Sequence, residues 1–261
     1  MARATRSAIL SFGLVSIPVK LYTSAKAEGV EFRMMSPKGN RVKQQYIDAV
    51  TGEVIQQTDC NKGFEHAKDE FVIFTKDEIK ELEAEKSSAI EIKEFVPASS
   101  FDPIMVEKSY YLGTDKGGDK GYCLLAKVMK KTGKVAVARW NAYGREHLIL
   151  VRPYRDGLVL HQMFYSDEIR PFEEITEDVA KVDFHEVEEF MAEKLVEQLS
   201  GDSYDASKYV DGYVTRVKTA VDQKLSGNGF TVAASVKKTS ATDLMAALKA
   251  SLDAATAAKK A

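Results

Sequence analysis

The chain has 261 residues, 44% of them hydrophobic and 29% charged, with a formal net charge of −2. That is enough for one large or two ordinary domains around a sizeable core, and without eighteen consecutive apolar residues it offers no membrane-spanning helix. The two cysteines, Cys60 and Cys123, are too few and too distant for a disulfide framework, so a reducing, cytoplasmic compartment is expected.

Residues 7–22 read SAILSFGLVSIPVKLY behind Arg3 and Arg6. Basic residues, an apolar run and the small triplet Ala25-Lys26-Ala27 share the outline of a secretory signal. Gly13, Ser16 and Pro18 break that run, however, and Lys20 follows it. Apolar residues alternate at Leu10, Phe12 and Leu14 and again at Val15, Ile17, Val19 and Leu21, with a slip of phase near Gly13. The pattern predicts a strand bent at a glycine and buried on one face.

Strand signals continue to about residue 165. After Thr75 the run KDEIKELEAEK predicts a helix, opened by a Thr75/Glu78 capping box. GYCLLAKVMKKTG, residues 121–133, predicts a second helix stopped by Gly133, and the apolar run around Cys123 predicts its burial. KVAVARWNA, REHLILVRPY and GLVLHQMFY then read as three strands separated by Tyr143-Gly144 and Arg155-Asp156-Gly157, a meander that suggests an antiparallel sheet closing into a barrel. Trp140 and Tyr143 on it are either stacking platforms or, more in keeping with strand positions, core or interface. Beyond it the chain is helical: residues 184–199 and 208–225 space their apolar residues by three and four. A polar linker, SGNGFTVAASVKKTSA, leads to TDLMAALKASLDAA, where Leu244, Leu248 and Leu252 share a face.

The small net charge hides a segregation along the chain. Residues 116–155 carry ten Lys/Arg against two Asp/Glu, and residues 1–60 eight against five; residues 161–200 carry twelve acids against three bases, and residues 61–102 eleven against six. A protein holding a polyanion on one surface would show this asymmetry, and so would solvated faces that happen to cluster. Phosphate-loop, dinucleotide-binding, nucleophile-elbow and zinc-protease motifs are absent. The histidines His66, His147, His161 and His185 have no cysteine at metal-ligand spacing, and His147 and His161 on strands read as structural. No enzyme, metal or cofactor is expected.

Five stretches carry a family resemblance: SFGLVSIPVKLY, IEIKEFVPASSFDPIMVEKSYYL (90–112), GYCLLAKVMKKTGKVAVARW (121–140), HQMFYSDEIRP (161–171) and DLMAALKASL (243–252). Together, in this order and over nearly the whole chain, they resemble the bacterial Ku proteins. The resemblance implies a mixed α+β fold: an antiparallel β-barrel core with an extended DNA-encircling bridge, then a helical arm and a short C-terminal helix. The expected boundaries are a core at 1–180 with its bridge at about 31–70, an arm at 181–227, and a linker with the last helix at 228–261. It also implies a homodimeric ring that binds double-stranded DNA ends without reading sequence, protects them and recruits ATP-dependent DNA ligase D for non-homologous end joining, in the cytoplasm at the bacterial nucleoid. On this reading residues 7–22 belong to the mature barrel.

Binding any end requires contacts to phosphate and sugar rather than base edges. A bridge of about 40 residues folded back as one hairpin could reach on the order of 60 Å, several times the roughly 12 Å major groove. Arg33, Lys38, Arg41 and Lys43 are the bridge cations expected to face the duplex, Arg41 and Lys43 from one side of a strand, with Lys20 and Lys26 near the base and Arg139 and Arg145 from the meander. Leu244, Leu248 and Leu252 are expected to dock the ligase; the alternative is that their helix only packs on its own domain. Many relatives carry a C-x-x-C in the bridge that can help hold zinc; Asp48 and Thr51 stand there in this chain, so no zinc is expected. The rival functional reading is a β-barrel that serves as a protein-interaction or general nucleic-acid-binding module without end specificity.

Overall fold

The alternating N-terminal stretch forms two strands rather than one bent strand. In the computed structural model, which describes residues 3–26, 29–82, 89–142, 144–176, 183–227 and 244–260, β1 (Arg6–Phe12) and β2 (Val15–Thr23) pair antiparallel, from Arg6 opposite Leu21 to Phe12 opposite Val15. Gly13 and Leu14 make the two-residue loop. Gly13 takes φ +55°, a conformation that suits a tight hairpin and costs glycine little. The phase slip in the sequence is therefore a chain reversal. Ala8, Leu10, Ile17, Val19 and Leu21 all turn to one side and are buried.

An excursion follows: the short strands β3 (Tyr46–Ile47) and β4 (Val54–Ile55), the hairpin β5 (Lys62–Ala67) and β6 (Glu70–Phe74), and helix α1 (Lys76–Leu82). The capping box forms as expected, with the Thr75 amide donating to the Glu78 carboxylate at 2.8 Å and the Glu78 amide donating to the Thr75 hydroxyl at 3.3 Å. The chain returns as β7 (Ala89–Pro97), β8 (Val106–Thr114), α2 (Asp119–Thr132), β9 (Lys134–Ala142), β10 (Arg145–Tyr154) and β11 (Gly157–Met163). Seven strands close in the order β1-β2-β8-β11-β10-β9-β7. The barrel is not purely antiparallel: β1 and β7 run parallel, Leu10 beside Ile90. Parity requires this, because an odd number of strands cannot alternate direction all the way round a closed ring.

α2 joins the interior through Tyr122, Leu125, Ala126 and Met129, which belong to the same core as Leu10, Ile90, Trp140, Ile149 and Leu160. The buried Tyr122 hydroxyl donates to the Leu112 carbonyl and accepts the Leu158 amide at 2.8 Å, pinning the helix to β8 and β11. Cys123, expected to be buried, is exposed. It lies one residue out of phase with the buried face, so its 100° step turns it outward. Trp140 is buried in the core, with the Arg6 guanidinium 5.4 Å from its ring centroid.

A second cluster lies elsewhere on the sheet. Val135, Leu150 and Met163 pack under Val96, Phe101, Met105, Val106 and Leu148. Beside it His161 accepts from Arg152 Nε at Nε2 (2.8 Å) and stands 2.7 Å from the Ser109 hydroxyl at Nδ1. Arg152 thus occupies the nitrogen where a hydrolytic triad would put a carboxylate, so Nδ1 carries the proton and Ser109 is not activated. Burial, and then Arg152, push the imidazole down to about 4 from its ordinary 6.5. Between these values the unfolded chain binds the extra proton, so stability falls as pH drops from 6.5 towards 4, by about 3 kcal/mol in total. Denaturant melts at pH 7 and pH 4 should show that loss, and His161→Gln should remove its share of the slope.

The second unit comprises Gly29–Phe32 and the chain from Phe172 onward. It contains α3 (Glu173–Thr176), α4 (Glu186–Leu199), α5 (Gly212–Leu225) and α6 (Leu244–Lys260). α5 starts four residues later than the apolar spacing predicts, because the Asp211 carboxylate captures the Tyr213 and Val214 amides and fixes the first turn there. α6 packs along α4, with Gln198 donating to the Thr256 hydroxyl at 3.1 Å. Among the described residues no helix is long and apolar enough to cross a membrane.

Candidate nucleic-acid interface

The bridge is not one long hairpin. It is a series of three short reversals: around residues 35–41, between β3 and β4, and between β5 and β6. The first carries Lys38 and Arg41, with Arg33 and Lys43 flanking it. Met35 pairs antiparallel with Arg41, the Gly39 amide donates to the Ser36 carbonyl at 2.8 Å, and the Ser36 amide donates to Asn40 at 2.8 Å. Pro37 presets the turn and Gly39, at φ +78°, closes it in the left-handed region. Lys38 therefore sits at the tip. Arg41 is bonded across from Met35, and Lys43 lies in irregular chain beyond it, so the single strand expected to align these two is absent. Arg33 and Lys43 lie in irregular chain on either side of this isolated pair. Arg33, Lys38, Arg41 and Lys43 are all exposed, and none forms an ion pair among the described residues.

The second reversal contains the Asp48/Thr51 positions. One oxygen of Asp48 accepts the Val50 amide at 2.8 Å and the Thr51 amide at 3.0 Å, while the Gly52 amide bonds to the Asp48 carbonyl at 2.9 Å. These bonds, Thr51's first and then Val50's, hold the carboxyl below its ordinary range. The pair does not fit zinc: a carboxylate oxygen already committed to two amides and a neutral hydroxyl supply no thiolate or imidazole. The turn is instead closed by a side chain on its own backbone. Asp48→Ala should raise hydrogen exchange at Val50 and Thr51 and leave the barrel's melting temperature unchanged, whereas Asp48→Asn, which keeps an acceptor, should protect both amides.

The predicted cations of the barrel divide into paired and unpaired. Lys20, on β2, is held by Asp115 at 3.0 Å, and Asp115 also accepts from Ser7 (3.2 Å) and the Lys116 amide (2.8 Å). That contact raises the Lys20 pKa and lowers that of Asp115. Arg139 on β9 pairs with Glu146 on β10 at 3.3 Å. Lys26, just past β2, and Arg145, at the start of β10, are exposed without an ion pair among the described residues. Sequence reasoning singled out the meander's arginines but not the lysines of α2. Helical spacing at Lys120, Lys127 and Lys131 was the available signal.

Of the three C-terminal leucines, Leu248 and Leu252 are half-buried on α6, the helix laid along α4; the side chain of Leu244 and all of Tyr143 lie outside the described set.

Comparison with known proteins agrees with this architecture. Residues 11–189 match the family model described as Ku70/Ku80 beta-barrel domain. A protein of Paraburkholderia phymatum named "Non-homologous end joining protein Ku" is 38% identical over 100% of this chain and 86% of its own length. Its namesake in Koribacter versatilis is 36% identical over 100% of this chain and 89% of its own. That of Archaeoglobus fulgidus is 32% identical over 97% and 99%. With a seven-stranded closed barrel, a cation-bearing excursion between β2 and β7, and full-length similarity of this degree, the chain belongs to the Ku family.

Proposed function

We propose that two copies of this chain close a ring around duplex DNA, hold a broken end without reading its sequence, and serve non-homologous end joining. The bridge carries the reading. Arg33, Lys38, Arg41 and Lys43 gather on and beside one reversal, none of them ion-paired among the described residues, and like charges so close in sequence repel unless an anion lies alongside. Phosphate supplies that anion at any sequence.

The same excursion supports the homodimer. Met34, Val50, Phe64, Phe71 and Ile73 are exposed on it, Val50 at 95%. Strands of two to six residues with no core beneath them are marginal alone, and a second copy would cover them. The proposed partner at the other end of the chain is ATP-dependent DNA ligase D, docking a helix in a groove through Leu244, Leu248 and Leu252. Since α6 lies along α4, recruitment would exchange that contact for the ligase.

The test is topological. The protein should bind linear duplex, ignore covalently closed circles, and stay trapped when a loaded linear fragment is circularised. Equal affinity for intact circles would point instead to a general nucleic-acid-binding barrel.

A further inference from the structure

We infer that the exposed face of α2, with the Arg155 turn, is a second contact for the sugar-phosphate backbone of DNA, separate from the bridge. This rests on the reading above that the chain binds duplex DNA.

Lys120, Lys127, Lys130 and Lys131 are all exposed on α2, and none is ion-paired among the described residues. At 1.5 Å per residue, Lys120 and Lys131 are about 16 Å apart along the axis. A row of that length spans more than one phosphate of a winding backbone strand, so several of these lysines can engage phosphates together. Beside this row is a cleft of about 230 Å³ lined by Cys123, Lys127, Lys130, Pro153, Arg155 and Asp156, three cations against one carboxylate.

The β10–β11 turn is built to present a cation there. Arg155 has φ +51°, a left-handed conformation costly for any residue with a side chain. It is kept by contacts: Lys130 Nζ donates to the Arg155 carbonyl at 3.3 Å, and the guanidinium lies 5.4 Å from the Tyr154 ring centroid, on a ring that itself stacks with Tyr111 at 5.9 Å. A cation–π contact of this kind restrains the exposed Arg155 side chain beside the ring while its guanidinium can still donate to phosphate. An extended face of unpaired lysines with an arginine at its side suits the continuous line of phosphates along a DNA strand. A short acidic peptide would satisfy the charge without extending along the whole of this face.

Two measurements on the full chain test this. In K120Q/K127Q/K130Q/K131Q the slope of log K against log salt for a linear duplex should become shallower by roughly 2 to 4, since each phosphate contact contributes about 0.9. Independently, in a Cys60→Ser protein that retains the α2 lysines, saturating duplex should slow maleimide alkylation of Cys123 at least tenfold, with protection lost in high salt. An unchanged slope with unprotected Cys123, while neutralising the bridge cations still abolishes binding, overturns the inference and leaves the function standing. Protection by an acidic peptide but not by DNA overturns it equally. Failure of the unaltered chain to bind duplex sinks both.

Discussion

Replacing Arg33, Lys38, Arg41 and Lys43 together by glutamine is expected to weaken binding to linear duplex by roughly 10³-fold at 0.15 M salt and to make the slope of log K against log salt shallower by 3 to 4. The reason is that these four charges are uncompensated in the free protein: none has a carboxylate partner among the described residues. Each phosphate they neutralise releases its condensed counterion in full. Lys20→Gln and Arg139→Gln should behave differently. Their charges already answer Asp115 and Glu146, so engaging phosphate would mean giving up an existing partner, and the loss of affinity should be several-fold at most. Lys20→Gln should also loosen the Ser7–Asp115–Lys20 contact between β1, β2 and the segment after β8. Anisotropy titrations across salt separate the classes. If the quadruple variant kept the slope of the original chain, the bridge would not be the DNA contact. Its folding serves as the control, because exposed substitutions of this kind change stability by no more than about 0.5 kcal/mol.

This division between paired and unpaired cations marks the limit of what a sequence discloses. Strands β9 to β11 were legible because β-branched and other apolar residues dominate segments of seven to ten residues and glycines punctuate them at Gly144 and Gly157. The end of α2 at Gly133 was legible for the same reason. Asp115 and Glu146 were visible as residues but not as partners, since a cross-strand neighbour depends on register, which local spacing does not specify. The three reversals of the bridge were illegible too: strands of two residues, such as Tyr46–Ile47, are too short to show a period. The parallel β1/β7 seam follows only once the ring is known to close on seven strands. Cys123 shows how small the margin is: helix, apolar run and stop were all read correctly, and a single 100° step still decided whether the thiol faced the core or solvent.

Trp140→Ala is expected to cost the barrel about 3–5 kcal/mol, a large share of the roughly 5–15 kcal/mol that folds a domain. The size of the effect comes from where the indole sits. Directly opposed residues form one row across the closing seam: Ile17 on β2, Leu10 on β1, Ile90 on β7, Trp140 on β9 and His147 on β10. The first four are at most 2% exposed. Leu10 and Ile90 meet across the parallel pair, the slightly weaker kind of ladder per residue, so the side-chain row carries much of the closure there. Removing the indole leaves a cavity in that row and withdraws the ring that faces the Arg6 guanidinium. Trp140→Phe, which refills most of the volume, should recover more than half of the loss. Because Trp140 is buried and touches no phosphate, any loss of DNA binding in the alanine variant should track the unfolded fraction with temperature and leave the salt slope of the folded fraction unchanged. Denaturant melts and salt titrations on the same protein make the distinction. A Trp140→Ala protein that melts like the original would mean that the seam closes without its row of side chains.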